Sequence, residues 1–379
     1  MEIFFLLYEG LVAFVLTFSV EILFLIGMLI FAVLVVSATA PLNFLGWWAG
    51  WSGEQDAPAL GAGPAPEPLR APVKPPEGAG AEIPPSHYLV FLSGIGNTSA
   101  DALASEEQAF LRNLKAAMPW LAIIDNIFPY SPDNTGLTED ERYGEFWRSI
   151  LAVKSTGGRA SALGNLINMR NMLQVAVSAD RRYAPVFNYG TASTILRALL
   201  DEGYQPGSGV PVTLMGYSGG GQVVFGAAYY LKPAIAAPLQ VISLGGVMAS
   251  TRGIDAADEL VHLEGERDSV QAIADVVFWG RWPLARNSRW NRALASGRLR
   301  QINLGPMTHT GPKGYLDTEA FLPDGRSHME KTTATVVELI TAFHDKHASS
   351  VAPHSRGLIS NVTLSEAKRP SRDSSLRSE

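Results

Sequence analysis

The sequence predicts an α/β domain, with helices on both faces of a mainly parallel sheet in a three-layer sandwich, preceded by an N-terminal transmembrane helix. Three observations carry this. Short apolar runs bounded by Gly and Pro alternate with stretches of helical spacing, the pattern of βαβ units. The 379 residues suffice for one large domain with appendages. The first fifty residues are almost purely apolar, and Glu21 is the one ionisable residue from Leu11 to Gly53.

The run Ile3 to Val36 is broken only by Glu9 and Glu21. A bilayer-spanning helix needs about 20 apolar residues. One main span is expected around Ile22 to Ala40, with the segment before it either a second span or an interfacial helix. Trp47, Trp48 and Trp51 follow, as an interfacial aromatic belt would. A cleaved signal peptide fits less well, because the N-terminus lacks Lys and Arg and Pro41 follows the small-residue site Ala38-Thr39-Ala40. Glu21 reads as a span boundary or helix contact. The nearest basic residues, Arg70 and Lys74, are too distant to set orientation. Residues 1–53 are thus assigned as a membrane anchor. Residues 54–85, rich in Pro, Ala and Gly, form an extended linker.

The globular domain is expected over 86–347. Strands are read at Tyr88–Leu92, Leu121–Ile124, Pro211–Met215, Gln240–Leu244, Glu259–Leu263 and Leu299–Leu304. Helices are read at Ser105–Met118, Ala162–Val177, Asn188–Glu202 and Gln222–Leu231. A last helix runs to about His347, started by a Ser327/Glu330 capping box. The less regular residues 131–185 are expected to be a cap insertion. Residues 348–379, rich in Ser and charge, read as a disordered tail.

The net charge of −6 argues against a nucleic-acid partner. The absence of cysteine excludes disulfides, thiolate metal sites and a thiol nucleophile.

Gly216-Tyr217-Ser218-Gly219-Gly220 is the central motif. Alone, G-x-S-x-G is weak; chance produces one on the order of once in four chains of this composition. Here an apolar strand runs directly into Gly216 and a helical pattern starts after Gly221. A sharp strand-to-helix turn exposes a serine hydroxyl, and the helix N-terminus supplies free N–H groups where an oxyanion forms. An idle serine in a Gly-rich turn is the bland alternative.

Such a serine needs a base oriented by an acid. His309 fits the base, on the loop Gly305–Gly311 after the strand ending at Leu304. His262 lies inside a strand, His328 in the capping box, and His344 and His347 on the last helix without further metal ligands. His354 is in the tail. For the acid, Asp268 follows the strand ending at Leu263 and the turn at Gly265; Glu264, Glu266 and Asp275 compete. Asp268 also suits a helix N-cap, a compatible role.

Together Gly216–Gly221, Gly265-x-x-Asp268 and His309-Thr310-Gly311 resemble the nucleophile elbow, acid turn and histidine loop of the α/β-hydrolase superfamily, over roughly residues 87–347. The resemblance implies acyl-group chemistry through an acyl-serine and does not fix the substrate; the expected function is hydrolysis of a carboxylic ester or thioester, small-molecule or lipid-like, without a cofactor. The oxyanion donors are expected to be the N–H groups of Gly219 and of Ile95. Ile95 lies in the loop Ser93-Gly94-Ile95-Gly96-Asn97, where Ser93 departs from the His-Gly-Gly of many lipases. A dinucleotide reading of that loop lacks the third glycine and the later acidic residue. The Trp- and Arg-rich stretch Phe278–Arg300 suits either an anionic membrane surface or ordinary packing on the core. An acyltransferase with the same residues, and a non-catalytic membrane-tethered module, are the rival functional classes.

Overall fold

The computed structural model describes residues 27–28, 85–140, 143–155, 164–181 and 183–348. The expected anchor, linker and tail lie outside the described residues, apart from Gly27, Met28, Pro85 and Ala348. Among the described residues, no helix is long and apolar enough to cross a membrane.

In chain order the elements are β1 (His87–Leu92), α1 (Ser105–Ala117), β2 (Leu121–Ile124), α2 (Gly144–Ser155), α3 (Asn165–Ala179), α4 (Ala184–Asp201), β3 (Val212–Tyr217) and α5 (Gly219–Ile235). There follow β4 (Leu239–Leu244), the short α6 (Gly253–Ala256), β5 (Glu259–Glu264), α7 (Ser269–Val277), a 3-10 turn (Trp279–Arg281), α8 (Arg289–Ala295), β6 (Leu299–Asn303) and α9 (His328–Ala348). The six strands form one sheet in the order β2-β1-β3-β4-β5-β6, and every pairing is parallel.

β1 to β5 are mainly apolar because both faces of the sheet are covered there, whereas β6, at the sheet edge, is mostly exposed and carries Arg300, Gln301 and Asn303. Along β1, successive side chains enter opposite cores. Tyr88, Val90 and Leu92 pack with residues of α4 and α5, including Ile195, Leu199, Val223 and Val224. Leu89 and Phe91 pack with Phe110, Leu111 and Leu114 of α1 and with Val336 and Ile340 of α9. The result is the expected three layers. The strand order reverses at β1, whose neighbours are β2 and β3. The loop after β1 therefore lies beside the loop after β3, since Leu92 is in register with Gly216. Such a switch point opens a crevice at the carboxyl edge of a sheet.

Several elements differ from the expected bounds. Helix α5 begins at Gly219, three residues before Gln222, because Gly219–Gly221 enter the helix despite poor propensity and allow close packing. Helix α4 starts at Ala184 rather than Asn188, with Pro185 in its first turn, where a missing N–H costs nothing. Helix α2 was hidden in the irregular stretch. Its Trp147 and Ile150 join Phe128, Tyr130, Leu137, Leu166, Ile167 and Val175 in a third, smaller core against which Ile95 packs.

Two histidines are buried without charge. His262 accepts a hydrogen bond from Gln271 Nε2 at 3.2 Å, and burial followed by the nearby Arg281 lowers its pKa to about 3. His87, 2.8 Å from Thr213 Oγ1, is lowered to about 3 by burial and then by His344 and His347. In the unfolded chain both protonate near their ordinary value of 6.5. Between about pH 6.5 and 3 the unfolded state therefore binds more protons, and stability falls as pH falls. In urea titrations across this window, His262→Gln should flatten the pH dependence of unfolding by about 1.4 kcal/mol per pH unit. An unchanged slope would mean that His262 charges in the folded state.

Candidate active site

β3 is wholly buried and delivers the chain into a turn that only small residues permit. A Cβ at Gly216 would lie 2.4 Å from the backbone of Gly220, and one at Gly220 would lie 2.4 Å from the carbonyl oxygen of Leu92. Between them Ser218 adopts φ 52° and ψ −122°. A non-glycine residue there stores strain on the order of 1–3 kcal/mol, sustained only if its surroundings hold it. Ser218 N–H donates to Leu244 O at 3.0 Å, and Gly221 N–H donates to Ser218 O at 3.0 Å. β4 and the first turn of α5 thus hold the serine from both sides.

The structure brings Ser218, His309 and Asp268 together, from the loops after β3, β6 and β5. Ser218 Oγ lies 2.7 Å from His309 Nε2, and His309 Nδ1 lies 2.8 Å from Asp268 Oδ2. An ionised carboxylate only accepts, so Nδ1 carries the proton and Nε2 is left to accept from the serine hydroxyl. Asp268 divides its two oxygens. Oδ1 caps α7, accepting from Val270 N–H at 3.0 Å and Gln271 N–H at 2.9 Å. Oδ2 takes His309 and the Tyr315 hydroxyl, the latter at 2.7 Å. Burial disfavours charge on this carboxyl, but His309, Tyr315 and the Gln271 N–H outweigh burial and hold its pKa below the ordinary value.

Around this line the loops are pinned. Tyr217 donates its hydroxyl to His309 O at 2.7 Å, and its ring stacks on the imidazole at 5.8 Å. The loop after β1 is fixed by Asn171 Nδ2, which donates to Ile95 O and Asn97 O, each at 2.8 Å. Tyr130 donates to Ser93 O at 2.8 Å. The buried Glu107 accepts from Gly94 N–H at 3.3 Å and from Ala104 N–H at 3.1 Å, and burial raises its pKa. The N–H groups of Ile95 and Gly219 make no hydrogen bond among the described residues. The two residues are neighbours: a Cβ at Gly219 would meet Ile95 Cγ2 at 2.6 Å and Val175 Cγ2 at 2.9 Å.

The other residues weighed at the sequence level lie elsewhere. His328 is buried, with Nδ1 3.0 Å from Lys313 O. The capping box forms as expected, with Glu330 Oε2 accepting from Ser327 N–H at 2.7 Å and Ser327 Oγ from Glu330 N–H at 3.1 Å. His344 stacks on Trp120 at 4.2 Å. Glu264 lies 3.4 Å from Gln271 Nε2, and Asp275 pairs with Arg281 at 2.8 Å, so neither faces His309. The Trp- and Arg-rich stretch divides: Trp290 is buried with Arg281 over its ring at 4.1 Å, whereas Trp279 and Trp282 are exposed. Among the described residues no His, Asp and Glu side chains converge as a metal site.

Tyr315, Glu107 and Asn171 were not anticipated. Tyr315 follows the histidine by six residues in an irregular loop and leaves no periodic signal. Glu107 and Asn171 sit on helices where polar residues are ordinarily solvated. Tyr315 also accepts from Gly265 N–H at 2.8 Å, so Tyr315→Phe leaves a buried N–H without a partner as well as removing a donor from Asp268. The variant should lose about 1–3 kcal/mol of stability in urea unfolding. A loss within error would show that water replaces the hydroxyl at no cost.

No protein-family model and no curated protein sequence matches the chain. Among solved structures, it overlaps a dienelactone hydrolase-like promiscuous phosphotriesterase, P91, from metagenomic libraries, with TM-score 0.38, 12% identity, and coverage of 71% of this chain and 89% of that one. It overlaps a single-residue variant of Arabidopsis thaliana SOBER1 with TM-score 0.37, 12% identity, and coverage of 68% and 99%. A puromycin-hydrolyzing peptidase of Mycobacterium tuberculosis gives TM-score 0.36, 16% identity, and coverage of 75% and 37%. Overlaps this loose say nothing about substrate. The sheet order, the strained serine turn between β3 and α5, and the placement of Asp268 and His309 after β5 and β6 make this an α/β-hydrolase fold.

Proposed function

We propose that the chain is a serine hydrolase that cleaves a carboxylic ester or thioester, with Ser218 as nucleophile, His309 as base and Asp268 as the orienting acid. The observation that carries this reading is the continuous hydrogen-bonded line from Ser218 Oγ through His309 to Asp268 on a strained turn. His309 Nε2 takes the hydroxyl proton as Oγ attacks the substrate carbonyl carbon. The imidazolium that forms is compensated by Asp268, whose depressed pKa keeps it ionised. The oxyanion is received by the N–H groups of Gly219 and Ile95, whose loop Glu107 and Asn171 hold in place. His309 then returns the proton to the departing alcohol or thiol. Water, deprotonated by the same imidazole, releases the acid and regenerates Ser218.

The third core, formed by α2, α3 and the preceding loop, bears on the site through Tyr130, Ile95 and Val175. We assign it as a cap that limits access of water and selects the acyl group. The apolar N-terminal run supports an anchor that holds the enzyme at a membrane, suited to a lipid-like substrate.

A fluorophosphonate probe should label the full chain in nonionic detergent, and Ser218→Ala should abolish labelling. Asp268→Asn keeps the serine but favours the wrong imidazole tautomer, and should slow labelling by about 10⁴-fold. Absence of labelling in folded wild type would overturn the assignment of Ser218. The anchor is checked separately: the full chain should stay in the membrane pellet after alkaline carbonate extraction, and release into the supernatant would refute a span.

A further inference from the structure

A cleft of about 1260 Å³ lies on the α4–α5 side of the sheet. Helix α3 connects it with the serine turn. Val175 bears on Gly219, and Ser178, one turn or roughly 5 Å further along the helix axis, lines the cleft. The remaining walls come from the first turns of α4, the middle of α5, the loop after β4 with the start of α6, and the segment 278–292. No residue of the proposed triad lines it.

The charge of this cleft is at odds with the chain. The protein as a whole carries −6, yet Arg181, Arg252, Arg286, Arg289 and Arg292 all line this one cavity, opposed among the described lining residues by Asp180. Two of the five are committed. Arg289 pairs with Asp255 at 2.6 Å, and Arg292 donates to Asn287 O at 2.8 Å. The side chains of Arg181, Arg252 and Arg286 make no ion pair and no hydrogen bond among the described residues. Arg181 lies over the ring of Trp279 at 6.0 Å and Arg252 over that of Tyr229 at 5.8 Å. An aromatic face holds a guanidinium without neutralising it and leaves its N–H fork free for an oxyanion.

Three uncommitted guanidinium groups exceed what a single carboxylate would balance and suit a phosphoryl group, which carries up to two charges and several acceptor oxygens. Two of the apolar residues that line the cleft are exposed, Trp279 at 62% and Leu284 at 89%. Clustered exposure of this kind beside a cationic cavity marks a surface that meets a ligand.

We propose that this cleft is a phosphoryl-binding site, in which Arg181, Arg252 and Arg286 hold the phosphoryl oxygens while Trp279 and Leu284 contact adjoining hydrocarbon. The phosphoryl group belongs either to a lipid headgroup or to a soluble phosphate ester. The site is independent of the chemistry assigned to Ser218.

Binding is measured by tryptophan fluorescence and calorimetry on full-length Ser218→Ala in nonionic detergent, so that no ester is consumed and the result stands apart from the hydrolase reading. The probes are dihexanoyl phosphatidylglycerol, glycerol phosphate, inorganic phosphate and, as an uncharged control, dihexanoylglycerol. Saturable binding of the phosphate-bearing probes is expected, with none of the control, and weakened roughly tenfold or more by Arg252→Gln with Arg286→Gln. Tighter binding of the lipid than of glycerol phosphate would assign the group to a headgroup; equal binding would assign it to a soluble ester. Arg181→Gln serves as an independent variant, with circular dichroism to verify the fold of each. Absence of saturable binding to wild-type cleft residues, or binding unchanged in the folded arginine variants, would overturn the proposal.

Discussion

The backbone of Gly220 comes so close to the carbonyl oxygen of Leu92 that no side chain fits between them, and much of the molecule is arranged by that contact. It sets α5 directly against the end of β1, and the same crowding places Gly216 on Gly220. With helix and strand this close, the connecting residue cannot relax into ordinary backbone geometry, and Ser218 takes a positive φ. The strain is carried by the sheet. Val212–Tyr217 are buried between β1 and β4, and the serine N–H is anchored on Leu244. A rigid, buried strand is what allows the Ser218 hydroxyl to be held in a conformation that a free loop would abandon.

The same edge of the sheet concentrates everything else that the proposed chemistry needs. Asp268 is instructive because it is one carboxylate with two unrelated obligations. Its Oδ1 closes the first turn of α7, and its Oδ2 faces His309 and Tyr315. The capping bonds fix the rotamer, and the rotamer fixes the imidazole. Tyr315 couples this acid to Gly265, and Tyr217 couples the histidine loop to the serine turn. Positioning is thus distributed over side chains that do not touch the reacting atoms.

On the far side of α3 the electrostatic character changes. The line from Ser218 to Asp268 is compact and hydrogen-bonded throughout, whereas the neighbouring cleft gathers five arginines, of which Arg181, Arg252 and Arg286 make no ion pair among the described residues. Arg281 offers a contrast within the same segment. It is buried, paired with Asp275 and stacked on Trp290, an arginine used for packing. Arg286, five residues later, has no such partners among the described residues. Burial and pairing separate the two uses of one residue type.

Local pattern determined a good deal. Mainly apolar runs marked β1 to β5, because strands covered on both faces are apolar on both, while the edge strand β6 shows only Leu299 and Ile302 among polar residues. Gly216, Ser218 and Gly220 were legible because their spacing reflects a steric demand of one turn, and the capping box at Ser327 and Glu330 because it closes within four residues. Asp268 and His309 could be ranked by their position after strands, but not joined. Only the tertiary structure decided that they meet at Ser218, since that depends on the order in which strands assemble and on contacts spanning 41 and 91 residues. Helix α2, the support from Tyr315, Glu107 and Asn171, and the gathering of arginines from separate segments into one cleft were equally invisible. Each arises from side chains brought together by packing over long separations, and periodicity within a short window carries no information about such neighbours.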